Sequence, residues 1–158
     1  MLDWERAALH LGPSDTPRAV QHVAAKYNPG PTDSQTAWWV TALFAPEIWR
    51  RWRVGLEHGS LNLWSTEDVH LPTPYRMEMP ARIQSQLAAG PYRPLAERWA
   101  TAGACPVIVG REALGFLVRP GTGVDPTFCE VFAPTHLVTR LGIVAGTQLE
   151  LDILPGTA

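Results

Sequence analysis

Ser60 and Asn62 stand two residues apart in the stretch HGSLNLW, residues 58–64. In an extended chain such a pair projects to one face, about 6.5–7 Å apart, while Leu61 and Leu63 project to the other. A hydroxyl and an amide held this way make a small polar site on a strand. The same alternation equally describes a half-buried strand whose polar side faces water, and the residues alone leave both readings open. Other reactive side chains are more dispersed. His10, His22, His58, His70 and His136 fit no metal-ligand spacing. Cys105 and Cys129 are single cysteines without a metal pattern, and they are expected to be reduced and partly buried. Cys129, next to Glu130, reads as core rather than as a nucleophile, and no Ser-His-Asp or Cys-His set can be assigned.

The elements that would position these residues follow from composition and period. The chain has 158 residues, 46% hydrophobic and 18% charged, which is enough for one domain with a real core. A net charge of −2 gives no basic excess for nucleic acid, although Arg50, Arg51 and Arg53 form a local basic cluster. No apolar run of about 18 residues and no charged-then-apolar leader is present, so a soluble cytoplasmic protein without membrane contact is expected. Residues 1–18 read as a short N-terminal helix or arm, broken at GPSDTPR, and residues 19–158 as one barrel domain.

Within that domain, 19–27 reads as a strand. TAWWVTALF, 36–44, is rich in β-branched and aromatic residues and reads as a second strand, paired with the first across an eight-residue loop. APEIWRRWRVG reads as a helix, with Pro46 in its first turn and Trp49 and Trp52 packing together on the barrel. HGSLNLW is the next strand. Residues 66–80 are irregular, and a short helix ends at Gly90. Strands at 104–110 and 112–119 meet tightly around Gly110 and Arg111. A loop leads to the strand 128–133, and Leu137 and Leu141 have helical spacing. Leu149, Leu151 and Ile153 then face one way in a final strand, with Glu150 and Asp152 facing the other. About seven strands with short helices between them predict a mainly β, compact six- to seven-stranded barrel with short helical insertions. Long crossover helices for a doubly wound sheet are missing.

Taken together, these segments resemble the archaeal-type CTP-dependent riboflavin kinases, whose fold is a cradle-loop β-barrel. Gly59-Ser60-Leu61-Asn62 after a helix resembles that family's Gly-Thr-Leu-Asn. Glu130-Val131-Phe132-Ala133-Pro134 resembles its strand ending in Glu, two apolar residues, Ala and Pro. HLVTRLGIVAGTQLELDIL resembles its closing helix, turn and strand. Order and spacing agree over roughly residues 19–155. The departure is at 28–36, where the family has a glycine-rich phosphate loop. Here that loop has one glycine, Pro29 and Pro31 without N–H donors, and the acidic Asp33, a combination that would hold phosphate weakly.

The resemblance implies a set of roles. Ser60 and Asn62 would bind Mg²⁺ through hard oxygens. Glu130 would contact the ribityl chain of the flavin and act as the catalytic carboxylate. Thr122 would contact the flavin, and Thr135, His136, Leu137 and Val138 would border the nucleotide. A basic residue usual near the end of that last segment is absent, with Arg140 two positions later. The implied activity is phosphoryl transfer from a nucleoside triphosphate, CTP in the family, to riboflavin, giving FMN. The alternative is a non-catalytic or repurposed barrel that binds a flavin or a nucleotide-like ligand.

Overall fold

The computed structural model describes residues 1–29, 35–57 and 60–157, and of residues 35–38 the backbone alone. Among them the elements run α1 (Asp3–Ala8), β1 (Gln21–Tyr27), α2 (Gln35–Trp52), β2 (Leu61–Ser65), β3 (Tyr75–Glu78), α3 (Ala81–Ala88), α4 (Arg93–Arg98), β4 (Thr101–Val109), β5 (Ala113–Pro120), β6 (Phe128–Phe132), α5 (Leu137–Leu141) and β7 (Gln148–Ile153). Six strands close an antiparallel barrel in the order β4-β5-β6-β2-β1-β7, with β7 pairing back onto β4. β3 is an extra strand on β4, outside the closed ring. The mainly β barrel expected from the strand count is the architecture observed.

Strand period decides what fills it. Val23, Leu63, Leu117, Val131, Leu151 and Ile153 point inward and form the barrel core. β1, β2 and β7 alternate buried with more exposed positions, whereas β4 and β5 are buried at nearly every position. Their outer face lies beneath α2, where Val40, Phe44, Ile48 and Trp52 join Ile108 and Phe116 in a second core. Gly115 is needed where β5 passes close to β6, because a Cβ there would stand 2.5 Å from Val131 Cγ1. Gly110 and Arg111 take φ of 60° and 61°, as a type I′ turn between β4 and β5 requires.

Several local expectations are corrected. Residues 36–44 are not a strand, and no hairpin joins them to β1, which pairs instead with β2 and β7. They begin an 18-residue helix that continues through Pro46. An interior proline costs about 3 kcal/mol. Burial of Phe44, Ile48 and Trp52 each contributes about 1.5–3 kcal/mol, enough to outweigh it. The buried apolar positions of α2, Val40, Phe44, Ile48 and Trp52, recur every fourth residue, and Trp49, one step past Ile48, falls off the stripe. Trp49 is 53% exposed, whereas Trp52 is buried against Tyr75 and Phe116. The two tryptophans therefore do not pack together on the barrel. β3 and α4 were not expected from the sequence.

Candidate functional site

The register of β2 against β6 sets the site. Asn62 pairs with Glu130, Leu63 with Cys129 and Trp64 with Phe128. Leu61 and Leu63 go inward, so Asn62 and Trp64 share the outer face with Phe128 and Glu130. Ser60, just before β2, donates its hydroxyl to Asn62 Oδ1 at 3.5 Å. Trp64, 41% exposed, stacks on Phe128 with ring centroids 4.7 Å apart. One strand face thus carries a hydroxyl, an amide, a carboxylate and an aromatic pair in adjacent positions.

Glu130 is the electrostatic anomaly. Its Oε1 is sealed from solvent and has no hydrogen-bond partner. Burial pushes its carboxyl up to about 7, against a smaller opposing pull from the Arg98 charge. Arg98, Trp99, Val118, Val124, Phe128 and Glu130 line a narrow cleft of about 30 Å³. Leaving a buried acceptor unpaired costs about 1–3 kcal/mol, which a single hydroxyl or a water, about all that this volume holds, would recover. Thr122 lies in the exposed turn between β5 and β6 and is not among the lining residues of that cleft. Its chain neighbours Pro120 and Val124 are.

A second cleft, of about 110 Å³, brings Ser60 together with Thr135, His136, Leu137 and Val138, and with Glu57. His136 caps α5: its Nδ1 accepts from the Thr139 N–H at 3.4 Å and lies 2.7 Å from Thr139 Oγ1. The Leu137 side chain is buried, and Val138 packs against the barrel core, so these two border the cleft while serving the interior. Arg140 does not stand in for the absent basic residue. Its guanidinium is held by Glu5, at 2.7 and 2.6 Å, and by the Glu112 carbonyl at 3.0 Å.

The donor set tests whether Mg²⁺ fits. Ser60 Oγ and Asn62 Oδ1 are 3.5 Å apart, close to the roughly 3.0 Å edge between neighbouring ligands of octahedral Mg²⁺. Both are neutral, so the ion would arrive with a phosphate. Among the described residues no three His, Cys, Asp or Glu side chains cluster to hold a metal on their own. Gly59 and the loop residues 30–34, including Pro31 and Asp33, lie outside the described residues. Cys105 and Cys129 are free and fully buried rather than partly so. Burial pushes the Cys105 thiol up to about 12 and raises that of Cys129, so neither is poised as a nucleophile.

Sequence reasoning missed Arg98 and Trp99, because α4 was not read as a helix. It also missed the Trp64–Phe128 pair, although Trp64 continues the alternation of Ser60 and Asn62 and was legible by the same rule. No helix among the described residues is long and apolar enough to cross a membrane. No protein-family model matches the chain, and no curated protein matches it.

Proposed function

We propose that the protein transfers a phosphoryl group from a nucleoside triphosphate, CTP by the family resemblance, to riboflavin, giving FMN. The observation that carries this reading is the buried, unpaired Oε1 of Glu130, a residue directly across the β2–β6 register from Asn62. In this reading the ribityl 5′-hydroxyl donates to Glu130. Its oxygen attacks the terminal phosphorus, the bond to the β-phosphate oxygen breaks, and the hydroxyl proton passes to Glu130. A carboxyl titrating near 7 suits that exchange at neutral pH. Ser60 and Asn62 would hold Mg²⁺, which would supply charge neutralisation at the phosphates. The flavin ring lies along the outer face against Trp64 and Phe128. The nucleotide borders Thr135–Val138, and Thr122 closes over the flavin from its turn.

A second reading, a barrel that binds a flavin or nucleotide without transfer, is favoured by one observation. Arg140, the nearest basic residue to the nucleotide segment in sequence, is committed to Glu5. Incubation with riboflavin, Mg²⁺ and each of four nucleoside triphosphates separates the two, with FMN followed by chromatography. FMN formed together with nucleoside diphosphate supports transfer. Riboflavin binding without FMN from any donor supports the binding module, and neither binding nor turnover overturns both.

A further inference from the structure

A cleft of about 580 Å³ lies away from the site above and shares no lining residue with the clefts at Ser60 and Glu130. Three separate parts of the chain build it: the end of α1 with the arm that follows, the C-terminal end of α2, and the segment after β7 with Pro106 of β4. Its apolar lining comes from Leu9, Leu11, Trp52, Pro106, Leu154 and Pro155. The volume falls within the roughly 300–1,000 Å³ usual for small-molecule sites.

Its walls are anchored. Arg6 donates to the Gly12 carbonyl at 2.7 Å and also to the Asp15 carbonyl, and Asp15 Oδ2 accepts from the Gly12 N–H at 2.6 Å, which shapes the arm. Leu154 N–H donates to Pro106 O at 2.9 Å, and Thr157 N–H to Thr73 O at 2.9 Å, which holds the opposite wall. Trp52 is wedged between Tyr75 and Phe116. A site preassembled this way loses little ordering entropy when a ligand enters.

The charges in it are unbalanced. Arg18 and Arg51 line the cleft, with His10 beside them. Among the described residues neither arginine makes an ion pair, and the Arg51 guanidinium carbon lies 5.4 Å from the centre of the Trp52 ring. The sole lining carboxylate, Asp15, accepts from the Gly12 N–H and offsets one of the two arginine charges, which leaves one positive charge in excess. Two arginines lining an apolar cleft, one with its guanidinium over Trp52, match a ligand with an apolar body and an anionic head. Of the basic cluster evident in the sequence at Arg50, Arg51 and Arg53, Arg51 alone lines this cleft, and Arg50 is paired with Glu47.

We infer that this cleft is a binding site for a small amphipathic anion, an aryl or acyl body carrying one carboxylate, sulfonate or phosphate, held by Arg18 and Arg51 against Trp52. The probe is 8-anilinonaphthalene-1-sulfonate, with neutral N-phenyl-1-naphthylamine as its uncharged counterpart. Both are titrated into the folded full chain by fluorescence and calorimetry. The sulfonate should bind at one per chain. Arg51→Gln and Arg18→Gln should each weaken it by about tenfold, the loss of one charge-assisted contact, while the neutral compound changes by less than about twofold. Ala8→Trp, which fills the cleft, should abolish both. Arg18 is exposed, so its variant keeps the test valid if Arg51→Gln fails to fold. Unsaturable or multi-site sulfonate binding, affinity unchanged in the folded arginine variants, or equal losses for charged and neutral probes would each overturn the assignment. So would displacement of the sulfonate by riboflavin.

Discussion

A carboxyl that burial pushes up to about 7 accepts protons at neutral pH, and its ionisation weakens the fold. The folded chain keeps the Glu130 proton to about 7, whereas the unfolded chain releases it near the usual carboxyl value of 4.5. Between those values the folded state binds more protons, so stability falls as pH rises, by an amount on the order of 3 kcal/mol in full. Glu130→Gln, neutral in both states, should therefore melt above the parent at pH beyond about 7, with the advantage closing towards pH 4.5. Parallel melting curves at every pH would mean that the carboxylate is not desolvated. In the phosphoryl-transfer reading the same variant loses about 10²–10⁴-fold in turnover, the contribution of a general base. Asn62→Ala instead raises the Mg²⁺ and nucleotide concentrations needed for FMN formation. A Mg²⁺ titration of both variants separates the two effects, and unchanged turnover in Glu130→Gln removes Glu130 from the chemistry. Sequence made the pairing of Ser60 with Asn62 legible because strand period is local. That Glu130 would face Asn62 is a matter of register between segments 68 residues apart, and only the family resemblance suggested it. Arg98 was out of reach of either argument.

At the scale of elements, period again separates what could be read from what could not. The last strand was legible because Leu149, Leu151 and Ile153 alternate with polar residues and only one face is buried. TAWWVTALF misled because β-branched and aromatic residues favour strands, yet the decisive signal was longer. Val40, Phe44, Ile48 and Trp52 recur at intervals of four across Pro46, and reading the proline as a helix start cut that stripe in two. β3 carries four residues after a proline-rich stretch and offers too few repeats to show a period. The β1–β7 pair has a testable electrostatic signature of its own. His22 sits opposite Asp152, contacts it through Nδ1, and reaches Glu150 with Nε2 at 2.6 Å. The hydrogen bond to Asp152 outweighs the opposing desolvation and, with the Asp152 and Glu150 charges, raises the imidazole above its usual 6.5. A raised histidine gives stability that is complete below pH 6.5 and lost as pH climbs through the folded value. His22→Gln should thus flatten the decline in melting temperature just above pH 6.5, and the His22 resonance should titrate above the usual imidazole value of 6.5. A His22 resonance titrating at or below 6.5 would refute the contact.

Across the whole molecule, the barrel was legible from its count of short strands and missing crossover helices. How the N-terminus joins it was not, because the join rests on an ion pair between residues 135 positions apart and on Met1, Ala8 and Leu9 packing against the second core. The residue Glu5 is fully buried, and its carboxylate accepts from Arg140 at 2.6 and 2.7 Å, from the Leu114 N–H at 2.7 Å and from the Leu2 N–H at 2.8 Å. Burial pushes the Glu5 carboxyl up, but the Arg140 and backbone hydrogen bonds together with the Arg140 charge more than reverse this and leave it below the usual 4.5. The pair thereby ties α1 to the start of β5 and to α5, and it holds the arm that roofs the amphipathic-anion cleft. Arg140→Met would leave a buried carboxylate without its counter-charge, and breaking one side of such a pair costs about 3–5 kcal/mol. Because Arg140 is 20% exposed, the lower end of that range is expected, measured by urea unfolding. Glu5→Leu with Arg140→Met should cost less than the two single changes added together, since no orphaned charge remains. A depressed carboxylate stabilises above its unfolded pKa, and that stability is lost as pH falls through the folded value. The parent should therefore lose stability below pH 4.5 more steeply than Arg140→Met does. The single variants should also be cut by protease within residues 9–18 while the barrel stays intact, and they should lose the naphthalenesulfonate site together with its roof. Strict additivity in the double variant, with an unchanged acid limb, would show that Glu5 and Arg140 do not act as a pair.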